Sequence, residues 1–105
     1  MQFIKSEIRD AIAIITIDRQ EALNALNSQV LSELKEAFSS IDINAVRCVI
    51  VTGAGEKAFV AGADIAEMCD MSPEEAEVYG AKGHDVFSFI EQFPLPVLIF
   101  VYGHE

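Results

Sequence analysis

Basic residues are scarce in this chain: seven lysines and arginines stand against seventeen aspartates and glutamates, a net charge of −10. There is no cationic stripe to displace counterions from a phosphate backbone, so nucleic acid is not an expected partner. An anionic small molecule stays open, because a few local donors can outweigh a global charge. Long apolar runs are missing too. The longest, "PVLIFVYG", falls far short of the roughly 18 residues a membrane helix needs, so no membrane partner is expected. The opening "MQFIKSEIRD" mixes charges with apolar residues and is not expected to act as a secretory leader. Cysteine is limited to Cys48 and Cys69, which form neither a metal-ligand spacing nor a disulfide framework. They read as two unpaired thiols in a reducing, cytoplasmic setting, and no metal is expected. Repeats, linkers and low-complexity segments are absent.

What is present is the composition of a folded protein, 51% hydrophobic and 23% charged over 105 residues, the size of one small domain spanning 1–105. "FIKSEIR" and "AIAIITID" read as strands joined by a tight turn at Arg9 and Asp10. The second is apolar at nearly every position, as for a strand buried on both faces. A polar segment, "RQEALNALNS", leads into a helix capped by Asn27 or Ser28. There Val30, Leu31, Leu34, Phe38 and Ile41 recur at helical spacing, with Glu33, Lys35 and Glu36 on the wet side.

"RCVIVTG" is a third strand ended by glycine. A second helix opens on a capping box, Ser72 at N-cap, Pro73 at N1 and Glu75 at N3. Its predicted inner face is Ala76, Tyr79, Gly83, Phe87 and Ile90. Gly80 and Gly83 weaken it intrinsically, so another element is expected to approach closely there. "FPLP" ends it and "PVLIFVYG" begins a fourth strand. The order ββαβαβ makes the chain α/β.

Between the third strand and the second helix lies "VTGAGEKAFVAGAD". Gly53, Gly55 and Ala58 have the G-x-G-x-x-A spacing of a dinucleotide-binding turn. The residues that follow have no helical periodicity, however, and the acidic residue expected about 20 positions on would be Glu74 or Glu75, which the capping box already explains. Small residues at Ala61, Gly62 and Ala63 instead let a ligand touch backbone N–H groups. Asp64 begins "DIAEM", a candidate single helical turn whose N-terminus would aim free N–H groups at negative charge. Such a place can hold a carbonyl oxygen as it becomes an oxyanion. On the residues alone, a plain strand-to-helix connection explains the loop equally well.

"RQEALNALN" (19–27) together with "GAGEKAFVAGADIAEM" (53–68) resembles the enoyl-CoA hydratase/isomerase family, the crotonases, and within it the short-chain bacterial hydratases. The resemblance runs from the first strand to about Val97. It implies the N-terminal portion of a crotonase-like fold, the ββα-repeat of the ClpP/crotonase superfamily, and a site for an acyl-CoA thioester. The family holds the thioester carbonyl on two backbone N–H groups, and the first corresponds to Ala63. Ala61, Gly62, Asp64 and Ile65 would line the pocket for the adenine and pantetheine arm, with Ala22 meeting the CoA chain from the other side. Arg19 and Lys57 are candidate phosphate partners. No cofactor is implied, coenzyme A being part of the substrate. The implied reaction is hydration of a short 2-enoyl-CoA to the 3-hydroxyacyl-CoA.

The chain also departs from the family pattern. Family chains run two to three times this length and form trimers or hexamers. After Pro96 and Val97, the residues Ile99, Phe100 and Tyr102 stand where small residues and asparagine are usual, and the second oxyanion glycine is not found. The two family glutamates that activate water lie further along. Glu105 is at the wrong offset to replace them, and His84, mid-helix in "AKGHDV", reads as solvated. Gln20, Glu21 and Ala66 replace a proline and basic residues that help hold CoA. Tyr79 and Met68 read as core, with the acyl pocket as the other reading. These 105 residues alone are therefore expected to be inactive, as part of a hydratase, as a non-catalytic acyl-CoA-binding remnant or as a non-functional truncated product. The apolar faces of "AIAIITID" and "VLIFVY" predict self-association. Light scattering checks this: particles larger than one chain are expected, and a clean monomer would contradict it.

Overall fold

The computed structural model describes residues 1–19, 26–54 and 71–99. Among these, β1 (Ile4–Arg9), β2 (Ile12–Ile17), α1 (Ser28–Ser39), β3 (Cys48–Gly53), α2 (Pro73–Glu91) and β4 (Val97–Ile99) follow in the expected ββαβαβ order. The four strands form one sheet in chain order, β1-β2-β3-β4. β1 and β2 are antiparallel, whereas β3 runs parallel to β2 and β4 parallel to β3. The predicted extension of β4 through Phe100 and Tyr102 lies outside the described residues.

Arg9 pairs with Ile12, so the hairpin turn is the two-residue loop Asp10–Ala11, one position later than expected. Both residues adopt positive φ, 53° and 64°. That left-handed geometry matches the twist of the flanking strands, and it outweighs the preference of alanine for negative φ.

Among the described residues only one face of the sheet is closed. Ala13, Ile15 and Ile17 of β2 and Val49, Val51 and Gly53 of β3 are buried, while the alternate residues of both strands are only half-buried. The expectation that β2 is buried on both faces thus holds for its inner face alone. Both helices arise as crossovers between parallel strands. α1 packs on the closed face and carries Val30, Leu31, Leu34, Ala37 and Phe38 into the core. The open face presents Ile12, Ile14 and Ile50 with Cys48, and Leu98 of β4 continues it.

Two helix faces differ from the sequence pattern. Glu33, expected on the wet side, is 6% exposed. Its Oε1 accepts from the N–H groups of Phe3 at 2.8 Å and Ile4 at 3.1 Å, and its Oε2 accepts from Gln29 Nε2 at 2.8 Å. Burial alone would push this carboxyl up. The Phe3 N–H first, then Gln29 and the N–H groups of Gln2 and Ile4, outweigh burial and hold it below its ordinary value of 4.5. On α2 the buried residues are Tyr79 and Val86, whereas Phe87 is 46% exposed and Ala76 is exposed. The inner stripe is therefore Tyr79, Gly83 and Val86, with Phe89, Ile90 and Phe93 packed at its end.

α2 lies against α1. A Cβ built on Gly83 would meet Leu31 Cδ1 at 3.8 Å, an ordinary contact. Phe93 stands edge-on to Phe38 at 5.2 Å, and Lys35 pairs with Asp85 at 2.8 Å on the outside of the seam. The close approach expected at Gly80 is not seen: among the described residues nothing lies within 4 Å of a Cβ built there.

Gly80→Ala is accordingly expected to stabilise the chain by about 0.8–1 kcal/mol, the helix propensity difference. A fall in denaturation midpoint would reveal an element seated on that side of α2. Glu33→Gln leaves an amide facing the Gln29 donor and is expected to cost about 1–3 kcal/mol at neutral pH. Because the folded-state pKa of Glu33 is lowered, its contribution is complete above about 4.5 and is lost as the pH falls through the folded value. Urea titrations across pH should therefore show the variant and the parent converging in acid; a constant gap would refute the assignment.

Candidate functional site at the strand ends

The parallel register sets Thr16 beside Thr52 and Ile17 beside Gly53. β2 and β3 thus end side by side, and the chain leaves both at one edge. The exits are pinned by short backbone bonds, Ala54 N–H to the Ile17 carbonyl at 2.8 Å and Asp18 N–H to the Phe3 carbonyl at 2.7 Å. In α/β sheets the carboxyl ends of parallel strands are where ligands bind. The Thr52 hydroxyl, one residue before the exit of β3, is buried with no hydrogen-bond partner among the described residues.

Residues 20–25 connect one exit to α1, and residues 55–70 connect the other to α2. The two returns also meet. Asn27 caps α1, its Oδ1 accepting from Val30 N–H at 2.8 Å. The predicted capping box opens α2, with Ser72 Oγ accepting from Glu75 N–H at 3.1 Å and Glu75 Oε1 from Ser72 N–H at 2.8 Å. The Tyr79 hydroxyl donates to the carbonyl of Leu26 in a buried hydrogen bond across 53 residues of chain. Between the helix starts lies a cleft of about 530 Å³ lined by Ser28, Met71, Glu74, Val78, Tyr79 and Lys82.

Of the sequence-predicted site residues, Arg19 is placed at the exit of β2, its guanidinium 5.6 Å from the Phe3 ring centre. Ala22, Lys57, Ala61, Gly62, Ala63, Asp64 and Ile65 lie outside the described residues, as do the "DIAEM" turn, Met68, Cys69 and Glu105. The structure nevertheless brings together the stems of both segments that carry them. His84 is exposed on α2, as the sequence suggested. Glu33 and Asp85 are held below their ordinary carboxyl values: Glu33 is bonded to the Phe3 and Ile4 N–H groups beside the exit of β2, and Asp85 is lowered chiefly by its hydrogen bond to Lys35. Among the described residues no cluster of three metal-ligating side chains occurs, and no helix is long and apolar enough to cross a membrane. The Tyr79–Leu26 bond was not legible in the sequence, since no spacing rule links residues so far apart.

The sequence profile of the enoyl-CoA hydratase/isomerase family matches residues 7–105. The chain belongs to that family. Crotonyl-CoA hydratase of Syntrophomonas wolfei is 45% identical over 98 residues, covering 92% of this chain and 38% of that protein. Short-chain-enoyl-CoA hydratase of Clostridium acetobutylicum is 46% identical over 93 residues, 88% of this chain and 36% of its own length. The crystal structure of an enoyl-CoA hydratase from Bacillus anthracis superposes with a TM-score of 0.92 at 33% identity, over 97% of this chain and 40% of that one. The fold is therefore the crotonase fold, and this enoyl-CoA hydratase/isomerase chain spans about two fifths of the length of these relatives. The dinucleotide reading of the glycine loop is superseded by that membership.

Proposed function

We propose that the chain binds an acyl-CoA thioester at the joined ends of β2 and β3, and that the reaction served is hydration of a short 2-enoyl-CoA. The observation that carries this is the side-by-side exit of the two strands, whose loops bear the family motifs, in a chain 45% identical to a crotonyl-CoA hydratase. In this reading the Ala63 N–H donates to the thioester carbonyl oxygen. Ala61, Gly62, Asp64 and Ile65 offer backbone to the adenine and pantetheine, Ala22 faces the CoA arm, and Arg19 and Lys57 meet phosphate. Coenzyme A enters as part of the substrate, and no cofactor is required.

Hydration bonds a water oxygen to C3 of the enoyl group and delivers a proton to C2. Between these events negative charge collects on the thioester oxygen. A fixed N–H donor there stabilises the charge more than it stabilises the neutral carbonyl, by about 3–4 kcal/mol for a strong donor. Backbone suffices for that role, which explains why the motif is built of alanine and glycine. The reading assigns no residue of this chain to move the proton, so the 105 residues alone hold substrate without turning it over.

Calorimetric titration of the chain with crotonyl-CoA, with absorbance at the enoyl thioester band followed on the same sample, tests this. Binding without loss of absorbance is expected, and Gly62→Leu, which places a side chain in the cradle, should weaken binding at least about tenfold, or 1.4 kcal/mol. Turnover would mean that an acid or base within these residues has been overlooked. Absence of binding would overturn the assignment of the cradle to this chain.

A further inference from the structure

We propose that Tyr79 is a positioning residue for the acyl-CoA site, acting through its hydroxyl and not its ring. The inference rests on the reading of the site given above. Tyr79 is 8% exposed, and a phenylalanine would fill the same space between α1 and α2. The hydroxyl is bonded to the carbonyl of Leu26. That carbonyl precedes the N-cap Asn27, whose own carbonyl accepts the first bond of α1 from Leu31 N–H at 3.1 Å. The Leu26 carbonyl thus stands outside the helical ladder, and a buried acceptor of this kind needs a partner.

The partner ties two places that the sheet does not. On the strand side, residues 20–25 and 55–70 start from neighbouring, hydrogen-bonded stems. On the helix side they end at Leu26 and Met71, and the buried Tyr79–Leu26 hydrogen bond is a polar link across that gap. Leu26 is four residues from Ala22, and Tyr79 lies on the first turns of the helix that follows Ala61 to Ile65. Loss of the hydroxyl therefore frees the helix-side spacing of the two segments that bear the CoA contacts, while the apolar seam of Leu31, Val86, Phe38 and Phe93 keeps the helices together.

Tyr79→Phe in the full 105-residue chain tests the proposal, with crotonyl-CoA affinity by calorimetry and amide hydrogen exchange of residues 20–27 as paired readouts. The expected result is about three- to tenfold weaker binding, the scale of one buried hydrogen bond, with faster exchange in 20–27 and an unchanged circular dichroism spectrum. Tyr79→Leu, which also removes the ring, controls for packing: it should lower the melting temperature further without weakening the affinity of the folded fraction beyond Tyr79→Phe. Affinity within twofold of the parent in Tyr79→Phe would overturn the positioning role and leave Tyr79 a core residue. If the parent itself binds no crotonyl-CoA, the reading of the site fails. Exchange then decides the clamp alone, faster exchange supporting it and unchanged exchange refuting it.

Discussion

The parallel pairing of β2 with β3 is the constraint on which the rest of the molecule depends. Its register places Ala13, Ile15 and Ile17 beside Val49, Val51 and Gly53, and all six face the buried side. A slip of one residue would turn these residues to the open face and bring the half-buried set inward. The same register makes both strands stop at one edge. A parallel pair cannot be joined by a hairpin, so a crossover must return the chain, and α1 is that crossover. Core, helix placement and the shared edge at the strand ends thus follow from one pairing.

Glu33 shows how the helix layer is keyed to the sheet. A carboxylate taken out of water is costly unless its oxygens are satisfied. Here the satisfying donors are the N–H groups of Phe3 and Ile4, where the chain enters β1. The apolar contacts of α1 would tolerate some rotation about its axis. The charge does not, because turning Glu33 away would leave the two backbone donors without their acceptor. A further charge, the Lys35–Asp85 pair, lies on exposed side chains and does little comparable work, since surface pairs of this kind contribute under about 1 kcal/mol.

Much of the fold was legible because local rules suffice for it. Alternating and β-branched runs marked the strands, Asn27 and the Ser72–Glu75 box marked the helix starts, and the motifs at 19–27 and 53–68 carried the family. The misreadings share a physical cause. Glu33 is polar and its spacing points to solvent, yet its backbone partners Phe3 and Ile4 come from the start of the chain. Phe87 is apolar and its spacing points to the core, yet α2 turns Val86 inward instead. Gly80 suggested a close neighbour, although a glycine records only the absence of a side chain and not what replaces it. In each case the outcome depends on a neighbour distant in sequence, which periodicity does not encode. The hydroxyl of Tyr79 belongs with these.

The strand order has a bearing on how the molecule is made. Among the described residues each strand sits beside its predecessor in the chain, so none of them has to be threaded between two that are already paired. The hairpin of β1 and β2 offers the edge of β2, β3 adds to it once α1 has carried the chain back, and β4 adds to β3 in turn. A nascent chain emerging from its N-terminus can therefore extend the sheet in the order of its own synthesis, each new strand adding to the one laid down before it while the outer edge of β1 stays apart from the growing side.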